Sequence, residues 1–146
     1  MTTTTRDAVL ERLDEYDALL RRHCGTSLSE SVVLELRRSE VPRAAPSAWQ
    51  IDPADDAWLR DGPPNGSVDL VVAEAALEHV DATRLMRLAP RMARWLHARG
   101  LALVRSGGGW TPTQYRALFA LDFELLEERA DPDTGSTLFA LAPLPS

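Results

Sequence analysis

Glu74, Glu78 and His79 follow one apolar run, Val68–Glu74, closely enough to share a site. A histidine beside a carboxylate is a candidate general base, because an unperturbed imidazole titrates near ~6.5. The same Leu-Glu-His-Val stretch also serves as a packing and helix-turn feature, in which case these groups are structural. Arg37 and Arg38 follow a second apolar run, Ser31–Leu36. Two adjacent guanidinium groups offer planar, forked donors for an oxyanion. Glu35 and Glu40 compete for them from inside the chain. Asp52 stands immediately before Pro53 and can cap a short helix with its carboxylate. Gly107–Trp110 combines three glycines with an indole. It reads either as a pocket-covering loop or as a solvent loop with Trp110 folded onto the helix that follows.

Composition removes several chemistries. All 16 basic residues are arginine, which excludes a Schiff-base lysine and the lysine of a phosphate-binding P-loop. Cys24 is the single cysteine, so there is no intrachain disulfide and no Cys-rich metal site. His23, His79 and His97 are scattered, and no metal is expected. Arg84, Arg87, Arg91 and Arg94 recur at helical spacing, which predicts a solvated outer face. Nucleic-acid binding is not expected, because the stripe lacks interleaved aromatics and the net charge is −6. The N-terminus has no apolar signal region, and no apolar run approaches the ~20 residues of a bilayer span. The expectation is one domain over 1–146 in a reduced, cytoplasmic protein without membrane contact.

The elements that must position these residues follow from periodicity. Asp7–His23 predicts an amphipathic helix with Val9, Leu13, Tyr16 and Leu20 on one face, capped by Thr4 or Thr5 and ended by Gly25. Ser31–Arg37 and Val68–Glu74 predict strands covered on both faces. Pro42 and Pro46 exclude a helix over 38–47, so the link to the next strand is irregular and unusually short. Pro53–Arg60 predicts a short helix, and 61–67 a loop. Ala82–Ala98 predicts a helix broken near Pro90. Gly100–Arg105 predicts a strand, and Thr111 caps a helix starting at Pro112. Phe123–Arg129 and Thr137–Ala142 predict a closing hairpin.

The order of these pieces resembles class I S-adenosylmethionine-dependent methyltransferases over a core of about 31–143. Ser-Val-Val-Leu-Glu-Leu (31–36) looks like that family's first strand, and Trp-Gln-Ile-Asp-Pro (49–53) like its second with an acidic end. Gly66–Val80 looks like its fourth strand, and Leu96–Val104 like its helix, glycine turn and fifth strand. The resemblance implies an α/β fold, a reduced Rossmann-like sheet, mostly parallel, with a C-terminal antiparallel hairpin and an N-terminal helix. In such a sheet ligands bind beyond the carboxyl ends of the strands. Asp52 then stands where the family binds the cofactor ribose, and Glu74 to His79 line the cofactor and substrate pocket. The family's glycine-rich loop is missing, with Arg37 and Arg38 in its place. Its first crossover helix and third strand are missing too. The chain is thus similar to a small, reduced, methyltransferase-like group of bacterial proteins. The expectation is a domain that has lost S-adenosylmethionine binding, takes no cofactor and serves as an interaction or regulatory module for an unidentified protein partner. Two alternatives stay open: an active S-adenosylmethionine-dependent methyltransferase, or a binder of another small anion at Arg37 and Arg38.

Overall fold

Both faces of the sheet are apolar, and each is covered by helix. The computed structural model describes residues 2–39 and 47–145, with side chains from residue 10 onward. Among these, six strands are β1 (Val33–Leu36), β2 (Trp49–Ile51), β3 (Val68–Glu74), β4 (Leu96–Arg105), β5 (Phe123–Ala130) and β6 (Thr137–Pro143). They form one sheet in the order β2-β1-β3-β4-β6-β5. β1 pairs parallel with β2 and β3, and β3 with β4, while β6 runs antiparallel to β4 and β5. This is the architecture the sequence implied, reached because near-continuous apolar strands must be buried on both sides.

Successive strand residues point to opposite faces. Val33, Leu70, Val72, Leu101 and Leu103 pack against Tyr16, Leu19 and Leu20 of α1 (Thr2–Cys24). Leu34, Val71, Ala73, Ala102 and Val104 pack on the other side, against α2 (Ala82–Trp95) and α3 (Pro112–Phe119). Among the described residues no helix is long and apolar enough to cross a membrane.

Several boundaries differ from the pattern in the sequence. α1 begins at Thr2, so Thr4 and Thr5 lie inside it and not at its start. Gly25 does end it, at φ 70°. α2 runs through Pro90 without a break. A proline inside a helix costs about 3 kcal/mol. Fully burying Leu85, Leu88 and Met92 is worth about 1.5–3 kcal/mol each, which outweighs that cost. The helix then stops at Trp95 and β4 begins at Leu96, ahead of the expected Gly100. Leu96 pairs with Val68 and Leu101 with Leu70, so residues between them bulge. Gly100 sits inside this irregularity. A Cβ there would lie 2.9 Å from the His97 carbonyl oxygen and 3.2 Å from that of Asp69, which only glycine avoids.

The segment between β2 and β3 carries one 3₁₀ turn, Ala57–Leu59, in place of the predicted helix over 53–60. Nothing strand-like is described there, consistent with the missing third strand. Trp58 anchors it: 1% exposed, its ring stands edge-on to Trp95 at 6.4 Å and 88°. The expectation of an irregular link at Pro42 and Pro46 lies outside the described residues.

If Trp58 is the anchor, Trp58→Ala should lower unfolding free energy by about 3–5 kcal/mol in a urea titration. A loss below about 1 kcal/mol would mean that the segment is held by its polar contacts instead.

Candidate functional site

The carboxyl end of β3 sends two carboxylates to opposite faces of the sheet. Ala75 follows Glu74 with φ 56°, the one non-glycine residue at positive φ among those described. A left-handed alanine costs roughly 1–2 kcal/mol, so the surrounding contacts must hold it. Its amide donates to the Arg105 carbonyl at 2.9 Å.

Glu74 belongs to the α1 side. Its Oε1 accepts from the Tyr16 hydroxyl. Its Oε2 accepts from Arg105 Nε at 2.7 Å and lies 3.5 Å from Arg12 Nη1. Arg105 Nη2 also donates to Glu15 at 2.5 Å. Burial, then the charge and hydrogen bond of Glu74, push the Tyr16 phenol far above its usual value. Burial works against the Arg105 charge, but Glu74 and Glu15 hold that guanidinium above its ordinary value.

Glu78 belongs to the α3 side. It accepts from the Gly107 amide at 2.5 Å, the Trp110 amide at 2.8 Å and the Tyr115 hydroxyl. Trp110 Nε1 donates to the Leu77 carbonyl at 3.1 Å. Burial and Glu78 push the Tyr115 phenol strongly upward. The glycine loop is therefore clamped by Glu78, with Gly107, Gly108 and Gly109 exposed and Trp110 bonded back to Leu77. A Cβ on Gly107 would meet Ala75 Cβ at 2.8 Å and Glu78 Cγ at 2.9 Å, so the glycine there permits close approach. Thr111 caps α3 in a full capping box with Gln114, as its sequence implied. His79 is exposed, and among the described residues neither Glu74 nor Glu78 bonds to it. The structure thus does not assemble the predicted histidine–carboxylate pair.

The ends of β1 and β2 form a second cluster. The Asp52 Oδ1 accepts from the Ala54 amide at 2.9 Å. Its Oδ2 accepts from the Ser39 amide at 3.2 Å and the Ser39 hydroxyl at 2.9 Å. Burial tends to raise the Asp52 carboxyl. The bonds from Ala54 and Ser39, with the charge of Arg38, outweigh it and hold the carboxyl below its usual range. Asp52 thus closes a tight turn and latches the loop after β1; no helix starts from it, and the 3₁₀ turn that follows begins only at Ala57. Arg37 donates its amide to the Ile51 carbonyl at 2.8 Å. Its guanidinium reaches Gln50 Oε1 and the Ser39 carbonyl, the latter at 3.4 Å. Glu35 is buried, 2% exposed, while Glu40 lies outside the described residues.

The arginine stripe is not simply solvated. Arg84 pairs with Asp56 and donates to the Asp55 carbonyl at 3.2 Å. Arg91 donates to the Leu59 carbonyl at 2.8 Å, so these two arginines staple the 3₁₀ segment to α2, while Arg87 and Arg94 are exposed. No cluster of potential metal ligands occurs among the described residues. Sequence reasoning missed Tyr16, Tyr115 and Arg105 as members of the site. The available signal was a tyrosine on an apolar helix face, whose hydroxyl needs an acceptor when buried.

No known protein-family model matches this sequence. No curated protein matches it either. Solved structures do. A crystal structure of a Pyrococcus horikoshii OT3 protein superposes with TM-score 0.65 at 13% identity, covering 92% of this chain and 90% of its own. The 1,6-didemethyltoxoflavin-N1-methyltransferase of Burkholderia thailandensis, crystallised with 1,6-didemethyltoxoflavin and S-adenosylhomocysteine, gives 0.66 at 14%, covering 98% of this chain and 81% of its own. A TehB-like S-adenosylmethionine-dependent methyltransferase of Corynebacterium glutamicum gives 0.54 at 14%, covering 67% of this chain. The match spans 57% of that enzyme's length. The chain has a methyltransferase-like fold.

The two tyrosines give a sharp pH test. Their folded-state pKa values are raised, so the stability they contribute is complete below about pH 10 and is lost as pH rises beyond it. Ultraviolet difference titration should show neither tyrosine ionising until the protein unfolds, both changing with the circular dichroism signal. A tyrosine that titrates near pH 10 in the folded protein would contradict this geometry.

Proposed function

We propose that this chain is a methyltransferase-like domain that no longer binds S-adenosylmethionine and that acts as an interaction or regulatory module. The observation that carries this reading is the Asp52 latch. Both carboxylate oxygens are engaged by Ser39 and Ala54, on the residue that the fold would offer to a ribose. A ribose diol would have to displace Ser39. Hydrogen bonds to a charged group contribute about 1.5–3 kcal/mol each, so displacement costs a large part of what the diol would gain. Arg37 and Arg38 add bulk where a nucleoside needs backbone to approach closely. As they stand, these residues are a poor fit for an adenosyl group, and no methyl-transfer step is assigned to them.

The competing reading is an active methyltransferase. Its support is the extent of the superposition on the Burkholderia enzyme, which covers 98% of this chain. The two readings separate on affinity. Calorimetric titration with S-adenosylmethionine and S-adenosylhomocysteine should give dissociation constants weaker than about 1 mM, or about −4 kcal/mol. Micromolar binding of either compound would overturn the proposal in favour of the enzyme.

A further inference from the structure

A cavity of about 240 Å³ opens between α1, the carboxyl ends of β3 and β4, and the turn that joins β5 to β6. Arg12, Glu74, Arg105 and Ser106 line it, with Thr134 and Ser136 from the turn. It does not involve Asp52, but it includes Glu74, which the family resemblance assigns to the cofactor and substrate pocket.

The guanidinium groups of Arg12 and Arg105 both approach the same oxygen, Glu74 Oε2, and Glu15 also pairs with Arg105. The other oxygen of Glu74 holds the Tyr16 hydroxyl. Arg12 stands 3.5 Å from Glu74 with 44% of its side chain exposed, so its donors are largely uncommitted. Arg105 is nearly enclosed, with 11% of its side chain exposed. Its Nε and Nη2 are engaged by Glu74 and Glu15, while Nη1 makes no hydrogen bond to the described residues. Glu15 pairs with both Arg105 and Arg129, and Asp131 accepts from the Asp133 amide and from Thr134 inside its own turn, where the charge of Arg105 also reaches it. In a chain of net charge −6, this is a concave spot where an exposed guanidinium, that of Arg12, stands beside a nearly enclosed one.

Ser106 adds a donor. It is 5% exposed, and its Oγ accepts from the Thr137 amide at 2.8 Å. A hydroxyl both accepts and donates. Among the described residues the Ser106 proton has no acceptor. The Thr134 and Ser136 hydroxyls at the rim share one hydrogen bond at 2.7 Å, and Thr134 also donates to Asp131.

We propose that this cavity binds a compact oxyanion, the phosphate or carboxylate group of a small molecule. Such a group accepts from Arg12, from Arg105 Nη1 and from Ser106 at once, and charge-assisted bonds of this kind are the strong ones. The volume of about 240 Å³ suits a small anionic headgroup. Binding would tie α1 to the β5–β6 turn, which gives a regulatory module something to sense.

The test is an NMR titration of the full chain with inorganic phosphate and, separately, with malonate, each at matched ionic strength. At least one should give saturable shifts at the Ser106, Gly107 and Gly108 amides. Arg12→Ala, on an exposed helix position, should weaken that binding about tenfold or more. Arg87→Ala, which removes an exposed positive charge elsewhere, should leave it unchanged. Saturation by one probe only identifies the preferred headgroup. The proposal is overturned if neither probe saturates, or if Arg12→Ala binds as tightly as the unmutated chain. It is equally overturned if binding survives Arg12→Ala but is lost in Arg37→Ala, which would place the anion at the other cluster.

Discussion

Two carboxylates leave the end of one strand and must both be satisfied out of bulk water. An unpaired buried charge costs several kcal/mol, so neither Glu74 nor Glu78 tolerates loss of its partners. The left-handed turn at Ala75 sends Glu74 toward α1 and Glu78 toward α3. Each then receives a buried tyrosine hydroxyl from the layer it faces. Glu74 also collects Arg105 from β4, and Glu78 also collects the amides of the loop that leaves β4. Three layers of structure are registered against one another through the side chains of two glutamates. Apolar packing supplies the bulk of the stability, but it is non-directional and does not by itself fix these positions.

The same economy governs the cleft at β1 and β2. In an open α/β sheet the strand ends expose backbone donors and acceptors that a ligand can use. Here the chain uses them itself. Asp52 holds Ser39 and Ala54, and Arg37 reaches across to Gln50. A ligand entering that cleft exchanges existing bonds for new ones, whereas a ligand entering the Arg12–Arg105 cavity meets the exposed Arg12 guanidinium and a Ser106 hydroxyl proton with no acceptor among the described residues. Fold similarity to methyltransferases therefore describes the scaffold, and the side chains at the strand ends decide what the scaffold does.

Much of this scaffold was legible in the residues. The continuous apolar character of Val68–Glu74 announced a central strand, and Thr111-Pro112 with Gln114 announced a capped helix. What stayed hidden depended on tertiary contacts. Pro90 reads as a break because local chemistry penalises it, yet the buried face of α2 carries the helix through. Trp58 reads as part of a short helix, but its ring is held by Trp95 and the backbone follows the ring. Glycines 107–109 suggested mobility, because a sequence cannot reveal that Glu78 lies against them. His79 suggested chemistry by proximity in sequence. The turn at Ala75 and the clamp on Glu78 leave it outside, in solvent. Asp52 could be read both as a cap and as a ribose ligand, since one carboxylate chemistry serves both. The structure places it on Ser39, a contact across residues that no periodicity links.

The most direct test of the central claim, that Asp52 is engaged by its own chain, is a crystal structure grown with saturating S-adenosylhomocysteine. The account predicts Asp52 still bonded to Ser39 and Ala54, with no nucleoside in the cleft. A ribose seated on the Asp52 carboxylate, with Ser39 displaced, would contradict it.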